Sequence, residues 1–513
     1  MQHHSGTIAA NDISVHRGAD AILERVSLAV TPGSRIGVVG PNGRGKTTLL
    51  RALAGLEELD RGSVRRNPPS LRVGYLPQER DVAPGESLLG YLSRRAAEDA
   101  TAEFEARAAS VLRRVGLDVA LDRELARLSG GEKSRAALAS ILLARFDVYL
   151  LDEPTNDLDF AGLELLEGFL LRLDAGFAVV SHDRAFLDRT VNQIVELESG
   201  TQRVHQYSGG WSEYEAARDR ARAEHERRFG EWRDERARFG ELHTERREQA
   251  RAAGKQADRR GTHALMSKTR AAAKRVERLE RDRVEKPWQP WELRLDLAPA
   301  GRSGDLVVSL GDAVVERGLF RLGPVDLSVS WGDRFSIVGP NGSGKSTLIE
   351  ALLGRLGLAS GDRRVGPSVV FGEIGQARAL FAEDEPLIRS FCEESGLRQG
   401  DARTLLAKFD LYAEHVLRPG SSLSPGERTR AELALQAARG AGCLVLDEPT
   451  NHLDLPAVEE LERSLSVYDG TLILVTHDRR FLERVGVTRV FEISPEAPGR
   501  DRPRARRRPP ARR

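Results

Sequence analysis

Apolar residues fall along this chain in short continuous runs, separated by stretches of helical spacing. Arg35-Ile36-Gly37-Val38-Val39, Val73-Gly74-Tyr75-Leu76, Val148-Tyr149-Leu150-Leu151 and Phe177-Ala178-Val179-Val180 are such runs. Each is short and uninterrupted, as expected of a strand covered on both faces. Thr48 to Leu53 and Ser134 to Ala144 read as helices, and about fifty helix-like residues precede Leu128. The succession then returns with Phe335-Ser336-Ile337-Val338, Thr347 to Leu352 and Cys443-Leu444-Val445-Leu446. Alternating strands and helices, written twice, predict an α/β chain built from a duplicated domain of about 200 residues.

Between the copies the period changes. From Glu213 to about Ala250 the sequence is dense in Arg, Glu and Ala, with Trp232 and Phe239 one heptad apart between Phe229 and Leu242. Leu265, Ala272 and Leu279 are again seven apart, with Val276 between them. This pattern predicts two antiparallel helices with a narrow apolar seam, joined through a basic, glycine-marked turn from Gly254 to Thr262. Gly230 and Gly240 are expected to weaken the first helix. The expected domains are residues 1–207, a helical hairpin linker 208–302, a second α/β domain 303–495, and a disordered Arg/Pro-rich tail 496–513.

Length and charge narrow the field. A chain of 513 residues is too long for one core. No stretch approaches the ~18 uncharged apolar residues of a membrane helix, so no membrane insertion is expected. Met1 to Ala10 has neither a basic nor an apolar leader region, so no secretory signal is expected. The cysteines are Cys392 and Cys443, too few for an iron–sulfur cluster or a four-thiolate zinc site, and they suit a reducing cytoplasm. The net charge of +1 hides two local excesses. Residues 246–275 carry ten Lys/Arg against Glu248 and Asp258, and residues 500–513 carry eight Arg against Asp501. A polyanion touched by particular segments is the expected partner.

The chemistry lies between the strands and helices. Gly40-Pro41-Asn42-Gly43-Arg44-Gly45-Lys46-Thr47 and Gly339-Pro340-Asn341-Gly342-Ser343-Gly344-Lys345-Ser346 both fit the glycine-rich phosphate loop, each after a strand and before a helix. Gly40, Asn42, Gly43, Gly45 and Thr48, like Gly339, Asn341, Gly342, Gly344 and Thr347, let backbone N–H groups converge on phosphate oxygens. Lys46 and Lys345 reach the β- and γ-phosphates, and Thr47 and Ser346 offer hydroxyls to Mg²⁺. Downstream, Gln78, Leu128-Ser129-Gly130-Gly131-Glu132, Asp152-Glu153, Asn156-Asp157-Leu158-Asp159 and Ser181-His182-Asp183 appear in order. Gln376, Leu423-Ser424-Pro425-Gly426-Glu427, Asp447-Glu448, Asn451-His452-Leu453-Asp454 and Thr476-His477-Asp478 repeat them, at offsets running from 299 for Gly40 and Gly339 to 295 for His182 and His477.

This ordered set resembles the ATP-binding cassette (ABC) ATPases over both halves of the chain. Two cassettes in one polypeptide, a long charged hairpin linker and Asp-Glu-Pro-Thr-Asn at both sites resemble the ABC-F class. The resemblance implies two P-loop ABC-type ATPase domains with ATP and Mg²⁺ as cofactors. Asp152 and Asp447 would hold the metal shell with Thr47, Ser346, Gln78 and Gln376; Glu153 and Glu448 would polarise the attacking water; His182 and His477 would contact the γ-phosphate. Ser129, Gly130 and Gly131 would face the nucleotide on Lys345, and Ser424 and Gly426 the one on Lys46, pairing the cassettes within one monomer. Pro425 removes one N–H donor from the second signature. No aromatic marks the adenine position, where Arg17 or Arg317 could stack. The intervals from Gln78 to Ser129 and from Gln376 to Ser424, 51 and 48 residues, leave no room for an inserted arm.

The class also implies a ribosome as partner, with linker tip 246–275 directed at rRNA and the tRNA region. Members act on translation or in antibiotic resistance by ribosome protection. Two other readings stand at this stage: a hairpin that merely tethers the domains, and an ATP-hydrolysing subunit of a membrane transporter with a separate permease.

Overall fold

The computed structural model describes the chain outside residues 1–5, 19, 78–82, 157, 199–203, 254–272, 276, 282–304, 319, 375–380, 382, 410, 424, 451–452, 454, 494–505 and 508–513. Two compact units result: Met1–Trp211 with Trp291–Arg513, and Ser212–Pro290.

The first cassette begins with β1 (Thr7–Arg17), β2 (Asp20–Val30), β3 (Arg35–Val39), α1 (Lys46–Ala54), β4 (Arg61–Asn67) and β5 (Val73–Leu76). α2 (Leu88–Ala96), α3 (Ala102–Arg114) and α4 (Gly130–Leu143) form its helical part. β6 (Val148–Asp152), α5 (Phe160–Leu171), β7 (Gly176–Val180), α6 (Arg184–Thr190), β8 (Gln193–Leu197) and β9 (Val204–Ser208) complete it. After α7 (Trp211–Ala253), the second cassette repeats the plan. It runs β10 (Leu306–Arg317), β11 (Phe320–Ser330), β12 (Arg334–Val338), α8 (Lys345–Leu353), β13 (Ser360–Val365) and β14 (Phe371–Ile374). Then come α9 (Leu387–Ser395), α10 (Gln399–Lys408), α11 (Ala413–Val416), α12 (Pro425–Ala438) and β15 (Cys443–Asp447). α13 (Leu455–Ser466), β16 (Thr471–Val475), α14 (Arg479–Val485), β17 (Arg489–Glu492) and β18 (Arg506–Arg507) close the chain.

Each cassette has a six-stranded sheet, ordered β5-β6-β7-β3-β8-β9 and β14-β15-β16-β12-β17-β18. The strands are parallel except at the last step. β6 and β7 are buried at every position, because helices and a second sheet cover their faces. That second layer is a three-stranded antiparallel sheet, β2-β1-β4 or β11-β10-β13. A plain alternation of strands and helices does not foresee it. Its signal is the alternate burial along β2, where Val26, Leu28 and Val30 face the core and the residues between face solvent.

The tail departs from the expected disorder at two residues. Arg506–Arg507 pairs antiparallel with β17, in the place that β9 occupies in the first cassette. An edge strand presents unpaired backbone groups, and here the chain's own tail meets them.

In the linker unit, α7 runs 43 residues without interruption through Gly230 and Gly240, about 64 Å at helical rise. Residues 273–275 and 277–281 are helical and lie antiparallel to it. Trp232 Nε1 donates to Leu279 O at 2.9 Å, and Arg236 pairs with Glu280 at 2.6 Å. Arg275 pairs with Glu235 and stacks on Phe239. Cross-helix contacts at successive turns keep the two glycines helical despite their propensity. The turn and most of the cationic tip lie outside the described residues.

Candidate functional site

Each phosphate loop leaves the carboxyl end of a strand inside its large sheet and opens a helix at Lys46 or Lys345. Gly45 (φ 87°) and Gly344 (φ 97°) cap those helices in the left-handed region. A Cβ at Gly45 would stand 2.9 Å from Ile22 O, and one at Gly344 2.7 Å from Phe320 Cζ, so only glycine fits. Lys46 Nζ donates to Gly40 O and Pro41 O at 2.7 and 3.1 Å; Lys345 Nζ donates to Gly339 O and Pro340 O at 2.9 and 3.1 Å. Burial holds the Lys345 ammonium below the usual lysine range.

Asp152 and Asp447 end β6 and β15. Ser346 Oγ donates to Asp447 Oδ2 at 2.9 Å, while the Thr47 and Tyr75 hydroxyls bond Asp152. Burial pushes both carboxyls above the usual range, and Asp152 Oδ1 is buried without a hydrogen-bond partner. A hydroxyl beside a desolvated carboxylate suits the partial oxygen shell of Mg²⁺. Among the described residues no group of three or more His, Cys, Asp or Glu gathers as a metal cage. Such an ion would therefore complete its shell with phosphate and water.

Glu153 (φ 51°) and Glu448 (φ 47°) sit in the left-handed region without being glycine. That conformation costs roughly 1–2 kcal/mol for an L-residue. It is held because each N–H donates to the next strand, Glu153 to Val180 O at 2.9 Å and Glu448 to Val475 O at 2.8 Å. The kink turns the carboxylates toward the histidines: His182 Nε2 is 3.0 Å from Glu153 Oε1, and His477 Nε2 is 3.4 Å from Glu448 Oε1. Burial, with the Lys345 charge, lowers His477 to about 4 and keeps it neutral at neutral pH.

The cassettes meet at these elements. Asn341 N, in the second phosphate loop, donates to Asp159 Oδ2 at 3.0 Å, and Arg135 Nη2, on the first signature helix, donates to Asn341 O at 3.4 Å. Ser129 opens α4 with a capping box: its N–H donates to Glu132 Oε2 at 2.7 Å and its Oγ accepts from Glu132 N at 3.3 Å. One cavity of about 900 Å³ is lined from both sides. The first cassette supplies Asn42, Gly43, Gly45, Lys46, Thr47, Thr48, Ser129, Gly130, Gly131, Asp152, Glu153 and His182. The second supplies Asn341, Gly342, Glu448 and His477. Arg17, weighed above for the base, lines it as well. Gly40, Gly339, Gly344, Lys345, Ser346, Thr347 and Asp447 are not among its lining residues. Gln78, Gln376 and Ser424 lie outside the described residues, and Gly426 lies in the first turn of α12.

Asp159, Arg135 and Arg184 are cross-cassette residues that escape sequence reasoning. Asp159 was readable, since a second acid follows Asn156 and opens a helix. Arg135 and Arg184 sit in helices whose spacing says nothing about a facing domain. Asp183, next to Arg184, meets Asp478 of the other cassette; burial and that facing carboxylate push it up to about 7. Unfolded, the carboxyl releases its proton near pH 4. The folded protein therefore holds an extra proton between those values, and this group's contribution to stability falls as pH rises through them. The unfolding midpoint is expected to decline less steeply from pH 5 to 8 in Asp183→Asn, which keeps the helix cap, than in the unaltered protein.

Comparison with known proteins agrees with this geometry. The family described as ABC transporter matches residues 23–156 and 322–451. The chain is 36% identical over 518 residues to the tylosin resistance ATP-binding protein TlrC of Streptomyces fradiae, covering 90% of this chain and 93% of that protein. It is 31% identical over 541 residues to ABC transporter F family member 2 of Arabidopsis thaliana, covering 95% and 76%. Energy-dependent translational throttle protein EttA of Escherichia coli K12 is 30% identical over 518 residues, covering 93% and 90%. A solved structure titled RNase-L Inhibitor superposes with a TM-score of 0.59 at 22% identity, covering 94% of this chain and 87% of that one, a likeness of fold. Twin cassettes meeting phosphate loop to signature, and relatives matched along 76–93% of their length, identify the chain as an ATP-binding ATPase that belongs to the ABC-F class.

Proposed function

We propose that this ATPase binds the ribosome in its ATP-closed form, acts there on translation, and protects ribosomes from an antibiotic. The observation that carries the reading is the contact of Asp159 and Arg135 with Asn341: one chain holds its own cassettes face to face across a cavity fit for nucleotide. Relatives named for translational throttling and for tylosin resistance support the choice of partner and outcome.

In this reading the domains are those expected above, except that Arg506–Arg507 of the tail joins the second cassette's sheet, the protein is a cytoplasmic monomer, and each cassette completes the other's site. Lys46 and Lys345 neutralise phosphate charge. Thr47 with Asp152 and Gln78, and Ser346 with Asp447 and Gln376, hold Mg²⁺, which supplies charge stabilisation when bound. Glu153 and Glu448 accept a proton from the attacking water, and His182 and the neutral His477 orient it against the γ-phosphate. Ser129 and Gly131 close on the phosphate held by Lys345, and Ser424 and Gly426 on that held by Lys46. Hydrolysis removes the shared phosphate and lets the halves part.

The linker tip, 246–275, enters RNA as a cationic end carried on α7. Neutralising Arg251, Lys255, Arg259 and Arg260 together is expected to weaken sedimentation with ribosomes. It should also lower the slope of log affinity against log salt by up to about 3–4, given ~0.7–0.9 per lost phosphate contact. Basal ATPase should stay unchanged. Unaltered affinity and salt slope would leave the hairpin as a tether.

A further inference from the structure

We propose that Phe160, delivered by the first cassette, is a positioning residue for hydrolysis in the second. Its ring stands between His477 and Arg479 of the second cassette and sets the posture of that histidine when the halves close. The inference rests on the role given to His477 above.

Phe160 is the first residue of α5 and follows Asp159. One Asp159 oxygen caps the helix through Gly162 N at 2.9 Å, and the other accepts Asn341 N. The start of α5 is thereby fixed to the second cassette's phosphate loop, and Phe160 is carried with it. Its ring centroid lies 5.2 Å from that of His477 at 75°, an edge-on contact. On Phe160 also rests the Arg479 guanidinium, 5.2 Å from the ring centroid. Arg479 is held in turn by Glu164 at 2.9 Å and Glu167 at 3.7 Å. Positions 160, 164 and 167 share one face of α5, so a single helix face grips the residue two places after the histidine.

Among the described residues neither His477 ring nitrogen has a hydrogen-bond partner, and Glu448 is 3.4 Å away. The long Glu448 contact holds the imidazole loosely, and the Phe160 ring packs against it. The other site is built differently. His182 is 3.0 Å from Glu153, and the position matching Phe160 in α13 is Leu455. Arg184 there meets Glu462, so the charged grip recurs while the aromatic contact does not. The second site's histidine is thus referenced to the opposite cassette, and the first site's to its own base. Phe160 does not line the nucleotide cavity, which separates its effect from nucleotide binding.

The test isolates the second site. In Glu153→Gln protein the first site keeps its ATP, so a single-turnover phosphate burst reports the second. Phe160→Ala in that background is expected to slow the burst about tenfold, the scale of a small misplacement of a reacting group. ATP retention should be unchanged, and Phe160→Trp should restore most of the rate. Phe160→Leu, the residue type that the other site carries, keeps bulk at this half-buried position and is expected to resemble Ala. A burst unchanged by Phe160→Ala, or fully preserved by Phe160→Leu, overturns the inference by reducing the contact to packing. If His477→Gln itself leaves the burst intact in the same background, the assigned role of His477 is what falls, and the inference with it.

Discussion

Glu153→Gln combined with Glu448→Gln is expected to abolish ATP turnover while leaving ATP binding intact, and so to hold the protein on ribosomes. The fold change follows from the chemistry. A positioned base contributes about 10²–10⁴ to proton transfer, and a glutamine of the same shape accepts no proton. Binding survives because phosphate contacts come from Lys46, Lys345 and backbone N–H groups rather than from these carboxylates. The substitutions also leave the kinked backbone in place, since Glu153 N–H and Glu448 N–H, not their side chains, bond the next strand. In a sucrose gradient with ATP the double variant should travel with ribosomes and the unaltered protein should not. Trapped protein that stays free of ribosomes and co-purifies with membranes instead would favour a transporter subunit. Trapped protein that still hydrolyses ATP at the original rate would remove both glutamates from the mechanism.

Local chemistry was more legible in the sequence than geometry between domains. The phosphate loops, strand-end acids and histidines can be located in the sequence because each is a short motif whose strand–loop–helix context is itself local. The central strands were readable for the same reason, being uninterrupted apolar runs such as Val148 to Leu151. The three-stranded sheets were not, because β1 and β4 pair across some fifty intervening residues and their partners are set by tertiary packing. Nor could the left-handed backbone of Glu153 and Glu448 be foreseen, since sequence normally signals such a conformation with glycine. Hydrogen bonds from adjacent strands impose it. At Gly230 and Gly240 propensity argues for a weakened helix, and contacts along the hairpin seam offset about 1 kcal/mol per glycine. Composition alone points to disorder at Arg506–Arg507, and composition carries no information about an open sheet edge.

Arg184 marks the deepest cross-cassette contact, and its removal carries the largest expected loss of stability. The guanidinium is 1% exposed, and Nη1 donates to Glu462 Oε2 at 2.9 Å while Nη2 bonds the other oxygen. Asp478 stands 3.6 Å away. Burial opposes both charges. Arg184 is nonetheless held above its ordinary value by Glu462, whereas burial keeps the Glu462 carboxyl above the usual carboxylate range. The two tendencies disagree on the state of the pair. The bidentate geometry decides for an ionised pair, since two parallel N–H donors match a carboxylate rather than a carboxyl. Arg184→Met then leaves Glu462 buried opposite Asp478 without its bidentate partner, a loss of about 3–5 kcal/mol. Because Glu462 belongs to α13 of the other cassette, that loss falls on closure as well as on folding, shifting the closed population by about 10²–10³. Arg184→Met with Glu462→Met should recover most of it, since two apolar side chains of similar volume need no desolvated charge. Thermal unfolding and an inter-cassette distance probe with ATP read the two parts separately. Arg479, a quarter exposed and facing Glu164 and Glu167 in the matching position, supplies the control: solvent screens it, and Arg479→Met should cost well under half as much. Equal losses at the two arginines, or no rescue by the double substitution, would show that this contact is packing rather than charge.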